Sequence, residues 1–176
     1  MRIWLVLFSC TVLFQLFAQR GVIHLTGEDG LIDNRVRDVV HDDRGFLWIA
    51  TANGLDRFDG QRFLHFQSLE GDLTTISSND VVAIAADGQR RIWVATQNKG
   101  LCWIDSRTFR IHRIGAKQGI TGKEITALTR DASGRIWCGL RKKGLFCFNI
   151  QNARFEQISL NNGSRAFPEI TQLFQD

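Results

Sequence analysis

Arg91-Ile-Trp-Val-Ala-Thr-Gln-Asn-Lys-Gly-Leu101 consists of an apolar run centred on Trp93, a short polar turn, and a Gly-Leu pair that opens a second apolar run. The same phrase stands upstream as Phe46-Leu-Trp-Ile-Ala-Thr-Ala-Asn-Gly-Leu55. It stands downstream as Arg135-Ile-Trp-Cys-Gly-Leu-Arg-Lys-Lys-Gly-Leu145. Trp48, Trp93 and Trp137 are 45 and 44 residues apart. A period of that length belongs to repeat architectures and governs every later reading.

Outward from each tryptophan the pattern holds. Six residues before it lies an aspartate (Asp42, Asp87, Asp131), and six before that an aliphatic residue (Val36, Val81, Ile125). Val39, Ile84 and Leu128 stand three before the aspartates. After the tryptophans come Gly54, Gly100 and Gly144, each followed by leucine, and then aromatic-led runs near Phe63, Phe109 and Phe155. In the second repeat the apolar runs are Val81–Ala85, Arg91–Thr96, Leu101–Asp105 and Phe109–Ile114. Runs this short, rich in Val, Ile, Phe and Trp, predict strands rather than helices. Asp87-Gly88 and Asp131-Ala-Ser-Gly134 predict hairpin turns, since Asp and Gly accept the backbone angles required. Four-stranded antiparallel units at this period specify an all-β fold, a β-propeller. Its blades are expected at about 33–66, 78–114 and 122–158. Ile170, Leu173 and Asp176 repeat the spacing of Val81, Ile84 and Asp87, so a further blade is expected to start within 167–176. A propeller closes with ~4–8 blades. The 19–176 region is therefore expected to be an incomplete propeller, the front of a longer protein. Val22–Leu25 reads as a short strand and Gly27–Gly30 as a turn before the first repeat.

The net charge of +4 comes from lysines and arginines spread along the chain, with no basic run, which argues against a nucleic-acid partner. The amino terminus differs from the rest. Arg2, the uncharged apolar stretch Ile3–Ala18 and then Gln19-Arg20 describe a signal peptide at 1–18. An uncleaved membrane anchor is the alternative, since ~17 apolar residues can just span a bilayer. Either way the rest of the chain is expected outside the cytoplasm. Beyond Cys10, the cysteines Cys102, Cys138 and Cys147 lack metal-ligand spacing and read as small buried strand residues. Export would permit one disulfide among them.

Leu31-Ile-Asp-Asn-Arg-Val36 through Asp43-Arg-Gly-Phe-Leu-Trp-Ile-Ala-Thr-Ala-Asn-Gly-Leu55 resembles the two-component regulator propeller repeat, and Ile76-Ser-Ser-Asn-Asp-Val81 through Leu101 resembles it nearly as well. The third repeat departs, with Lys123 where Asn34 and Asn79 stand and Leu140 in place of Thr51 and Thr96. The resemblance implies the periplasmic sensing region of a membrane-bound regulator, at the inner membrane of a Gram-negative bacterium. The output would be a histidine kinase, often a hybrid one of a carbohydrate-responsive system, or alternatively a diguanylate cyclase. It also implies that further blades, a membrane helix and an output domain follow, and that the longer protein is a homodimer.

No nucleophile with its base, metal cluster or phosphate loop is apparent, so no catalytic residue, metal or cofactor is expected here. Asp131-Ala-Ser-Gly134 lacks the alternating oxygen ligands of a calcium loop. A binding surface follows from topology instead. In a meander, the links between repeats share one face with the turns between second and third strands. Long links on a rigid scaffold carry function disproportionately. That face is expected to present Asn34, Asn53, Asn79, Asn98, Lys99, Arg141 and Lys142. Amides and cations suit an oligosaccharide or another hydroxyl-rich or anionic ligand. Two other functions stay open: an exported propeller enzyme of lyase or quinoprotein type, whose repeats share an Asp-Gly-x-x-Trp-like phrase, and a passive interaction scaffold.

Overall fold

The structure, a computed structural model, describes residues 22–159 and 170–173. The described residues hold three antiparallel four-stranded sheets, each a meander in chain order. Blade 1 is β1 (Val36–His41), β2 (Leu47–Thr51), β3 (Gly54–Phe58) and β4 (Phe63–Phe66). Blade 2 is β5 (Val81–Ala86), β6 (Arg91–Thr96), β7 (Gly100–Asp105) and β8 (Ile111–Ile114). Blade 3 is β9 (Ile125–Arg130), β10 (Ile136–Leu140), β11 (Gly144–Asn149) and β12 (Arg154–Ile158). β1 lies against β5 and β5 against β9, so the first strand of each blade faces a common channel.

The repeated residues hold each blade to its neighbour. Trp48, Ala50 and Leu55 of blade 1 are buried with Val81, Ile84 and Val94 of blade 2. Trp93, Ala95 and Leu101 of blade 2 are buried with Ile125, Leu128 and Phe148 of blade 3. Both sheet faces of blade 2 are covered, which accounts for the near-continuous apolar run of β6. Each repeat aspartate closes its hairpin and anchors its tryptophan. Asp42 Oδ1 accepts the backbone N–H groups of Arg44 and Phe46, while Oδ2 accepts Trp48 Nε1–H at 3.0 Å. Asp87 and Asp131 accept Trp93 Nε1–H and Trp137 Nε1–H at 3.3 and 2.9 Å. Thr51 and Thr96 donate to the carbonyls of Gly54 and Gly100, each at 2.8 Å, pinning the turns that follow.

The innermost strand of every blade carries a β-bulge at one repeat position. Pairing steps from Val36↔Thr51 to Asp38↔Ala50, from Val81↔Thr96 to Ala83↔Ala95, and from Ile125↔Leu140 to Ala127↔Gly139. Arg37, Val82 and Thr126 are the extra residues. A bulge re-aims side chains and increases local twist.

Two expectations need correction. Val22–Leu25 forms no strand; the segment runs instead into a capping-box turn at Thr26 and Asp29, and Val22 and Ile23 are exposed. The fourth strand of blade 2 begins at Ile111, not Phe109. Asp105 Oδ1 caps the N–H groups of Arg107 and Thr108, and Phe109 takes a left-handed φ of 58° to complete that loop. Ile170–Leu173 is described without strand structure, its Ile170 lying against Gly139. The remainder of the expected fourth repeat, including Asp176, lies outside the described residues, as do Cys10 and the 1–18 segment. Among the described residues no helix is long and apolar enough to cross a membrane.

Candidate functional site: the channel mouth

The β2–β3, β6–β7 and β10–β11 turns and the inter-blade links share one face. Backbone hydrogen bonds tie the two sets together: Gln97 N–H donates to Asp80 O, Gly100 N–H to Lys123 O, and Arg141 N–H to Glu124 O. The long link Gln67–Asp80 is built rather than loose. Arg113 of β8 reaches its carbonyls at Asp72, Thr75 and Ile76, and Thr75 Oγ1 accepts Leu69 N–H.

At this face the channel opens into a cavity of about 420 Å³ lined by Arg37, Val82, Gln97, Asn98, Glu124, Ile125, Thr126, Arg141 and Thr171. The lining includes all three bulge residues. It also includes Thr171, which stands 45 residues after Thr126, the repeat distance. Below it, sharing Arg37, Val82, Thr126 and Thr171, runs a channel of about 550 Å³ that ends near His41 and Arg130. Arg37 pairs with Asp80 at 2.8 Å and Arg141 with Glu124 at 3.3 Å.

Of the residues expected to meet a ligand, the structure brings Asn98 and Arg141 together at this mouth. It assigns others to local structure. Asn34 Oδ1 accepts Gly27 N–H at 2.8 Å and Asn79 Oδ1 accepts Ser68 N–H at 2.6 Å, so both amides order the links that enter blades 1 and 2. Asn53 is exposed in its turn, where its carbonyl accepts the Gln67 amide. Lys99 is exposed outside both cavities. Lys142 lines a separate hollow near Gly119 and Phe155. Sequence reasoning missed Arg37, Glu124, Thr126 and Thr171. The signals for Arg37, Thr126 and Thr171 were the repeat offset they share with Val82 and the three-residue spacing of the aliphatics around it, as in Val36 and Val39; neither pointed to Glu124.

Other reactive groups have structural explanations. Asp56 is fully buried; it accepts Ile32 N–H at 2.7 Å and lies 2.6 Å from His65 Nδ1, which fastens the segment entering blade 1 onto its outer strands. Cys102 and Cys138 are buried free thiols whose pKa burial raises, and Cys147 is a half-buried free thiol. Burial pushes Asp131 up, but donors from Trp137 and from the Arg135 backbone and guanidinium outweigh it and hold the carboxyl at about 2. Among the described residues no group of three His, Cys, Asp or Glu could hold a metal ion.

Residues 30–53 and 75–98, which span the first two strands of blades 1 and 2 and the links that enter them, match the family model of the two component regulator propeller. The extracellular domain of a protein described as a hybrid two component system from B. thetaiotaomicron is similar to the chain, with a TM-score of 0.69 and 26% identity. The match covers 80% of this chain and 20% of that one. A second such extracellular domain from B. thetaiotaomicron, with a TM-score of 0.62 and 23% identity, covers 73% of this chain and 19% of that one and shares the fold. "Histidine kinase P4" of Formosa agariphila is 41% identical over 49 residues, which is 28% of this chain and 4% of that protein. The chain thus spans about a fifth of the length of these solved structures.

Proposed function

We propose, from the two-component regulator propeller repeats in blades 1 and 2, that this chain is the ligand-sensing front of an exported propeller in a membrane-bound two-component regulator. The output is a histidine kinase, hybrid in type, and the ligand is of carbohydrate type. The observation that carries this reading is the likeness to the extracellular domain of a hybrid two component system at 26% identity over 80% of the chain. The apolar 1–18 stretch supports export to the periplasmic side of the inner membrane.

Sensing by such a region has one physical requirement. A ligand changes the output only if it binds two arrangements of the protein with different affinity. The blades are stiff units with buried aromatic interfaces, so the difference lies in how whole propellers dispose themselves within a homodimer, not in deformation of a blade.

Reading the coding frame onward from Asp176 tests the proposal. The expected result is more Trp-Thr-Gly-Leu repeats, then a membrane helix and a kinase domain. A frame that stops, or that closes a propeller with no membrane segment, overturns it and favours a secreted enzyme or scaffold.

A further inference from the structure

We infer that the channel mouth is a binding site for a neutral, diol-bearing sugar residue rather than an anionic one, and that the bulged position of each innermost strand sets its specificity. This rests on the sensor reading above and deepens it. The bulge occurs at the same offset in three blades, which puts Arg37, Val82 and Thr126 at one level of the channel wall. Thr171 joins them at the mouth. A blade can therefore change its contribution to the site at a single position while keeping the buried residues on either side, such as Val81 and Ile84, that hold it to its neighbour.

Charge decides the ligand class. A carboxylate, sulfate or phosphate competes for the same guanidinium fork that a protein carboxylate pairs with. Here each arginine at the mouth already has a carboxylate: Asp80 for Arg37 and Glu124 for Arg141. An anionic ligand would have to displace one of these and would then lie beside the freed carboxylate. A vicinal diol meets no such conflict. One hydroxyl accepts from the guanidinium while its neighbour donates to the carboxylate, and the ion pair stays intact. The amides of Gln97 and Asn98 add both donors and acceptors, and Val82 offers apolar surface to the C–H face of a pyranose.

The test is calorimetric titration of the intact protein with glucose, galactose, mannose, xylose and arabinose and their disaccharides, with glucuronate and galacturonate as the anionic counterparts. A neutral member is expected to bind, and each uronate to bind at least tenfold more weakly. Glu124→Gln removes the carboxylate beside Arg141, so it should weaken the neutral sugar about tenfold and strengthen the matching uronate, a reversal that a merely unstable variant would not show. Gln97→Ala, at an exposed side chain, should weaken the neutral sugar without a change in melting temperature. A uronate that binds wild type more tightly than its neutral counterpart overturns the ligand class. A sugar whose binding ignores both variants overturns the site and leaves the sensor reading standing. Failure of every sugar in the panel to bind overturns the inference, while the coding frame and the kinase output still decide the sensor reading.

Discussion

At the scale of single residues, the six-residue spacing of aspartate and tryptophan does two jobs at once. The turn-forming role of Asp42, Asp87 and Asp131 was legible in the sequence, because Asp near Gly is turn chemistry. Their second role, as acceptors for an indole N–H, was not, because it depends on hairpin geometry. Asp87 is buried and serves Gln89 N–H, Arg91 N–H, the Arg91 guanidinium and Trp93 Nε1–H. Asp87→Ala strands the indole of a fully buried tryptophan and should destabilise by roughly 2–4 kcal/mol in denaturant melts. Thr96→Val removes one buried hydrogen bond and should cost about 1 kcal/mol; blade 3, with Leu140 at the matching place, already dispenses with it. Asp131 brings a pH dependence. Its folded value of about 2 lies below the ordinary 3.8, so its contribution is present above about pH 4 and is lost as pH falls through about 2. Asp131→Asn should flatten the fall in urea midpoint between those limits, and a fall parallel to wild type would refute this assignment.

At the scale of elements, strands were legible from their apolar runs, and their ends were set by turns that the runs do not encode. Phe109 looked like the start of a strand because it is aromatic, yet the Asp105 cap claims it for a loop. The bulges left only a faint trace: Val36 and Val39 stand three apart, where an unbroken strand keeps one face at every second residue, and the pairing register is what reveals the extra residue. Asn34 and Asn79, read as ligand amides because they open the repeat, each accept a backbone N–H of the incoming link, a role that the repeat position alone did not reveal. The short 3-10 turn Ala116–Gln118 before blade 3 offers a paired test of glycine roles. Gly119 has a φ of 89°, and a Cβ there would lie 2.2 Å from Phe155 O. Gly119→Ala should therefore destabilise by roughly 2–4 kcal/mol. Gly115 is extended and a Cβ meets nothing within 4 Å, so Gly115→Ala should leave the melting temperature within about 2 °C of wild type.

At the scale of the whole molecule, the repeat itself identifies faces that await a neighbour. Val81 and Ile84 are 0% and 2% exposed because blade 1 covers them, and Ile125 and Leu128 are 5% and 8% exposed beneath blade 2. The matching Val36 and Val39 of blade 1 are 45% and 46% exposed. At the other side Trp137 is only half-buried, beside a hollow of about 480 Å³, where Trp48 and Trp93 are fully covered by the following blade. These positions predict that another blade of the intact protein packs on each face. A cysteine introduced as Val39→Cys should resist maleimide in the intact protein and react readily in the separated 22–176 segment. The same logic made the arc legible from its 44–45-residue period, while the channel mouth was not, because its lining is assembled from three blades and no single stretch carries it. The most direct measurement of the central claim is phosphate transfer from ATP by the intact protein in membranes, titrated with a sugar that binds it. A saturable change in phosphorylation, shifted to about tenfold higher sugar concentration by Glu124→Gln, is the result the sensor account predicts. Phosphorylation that stays constant while the sugar saturates the protein, or no phosphorylation at all, would contradict it.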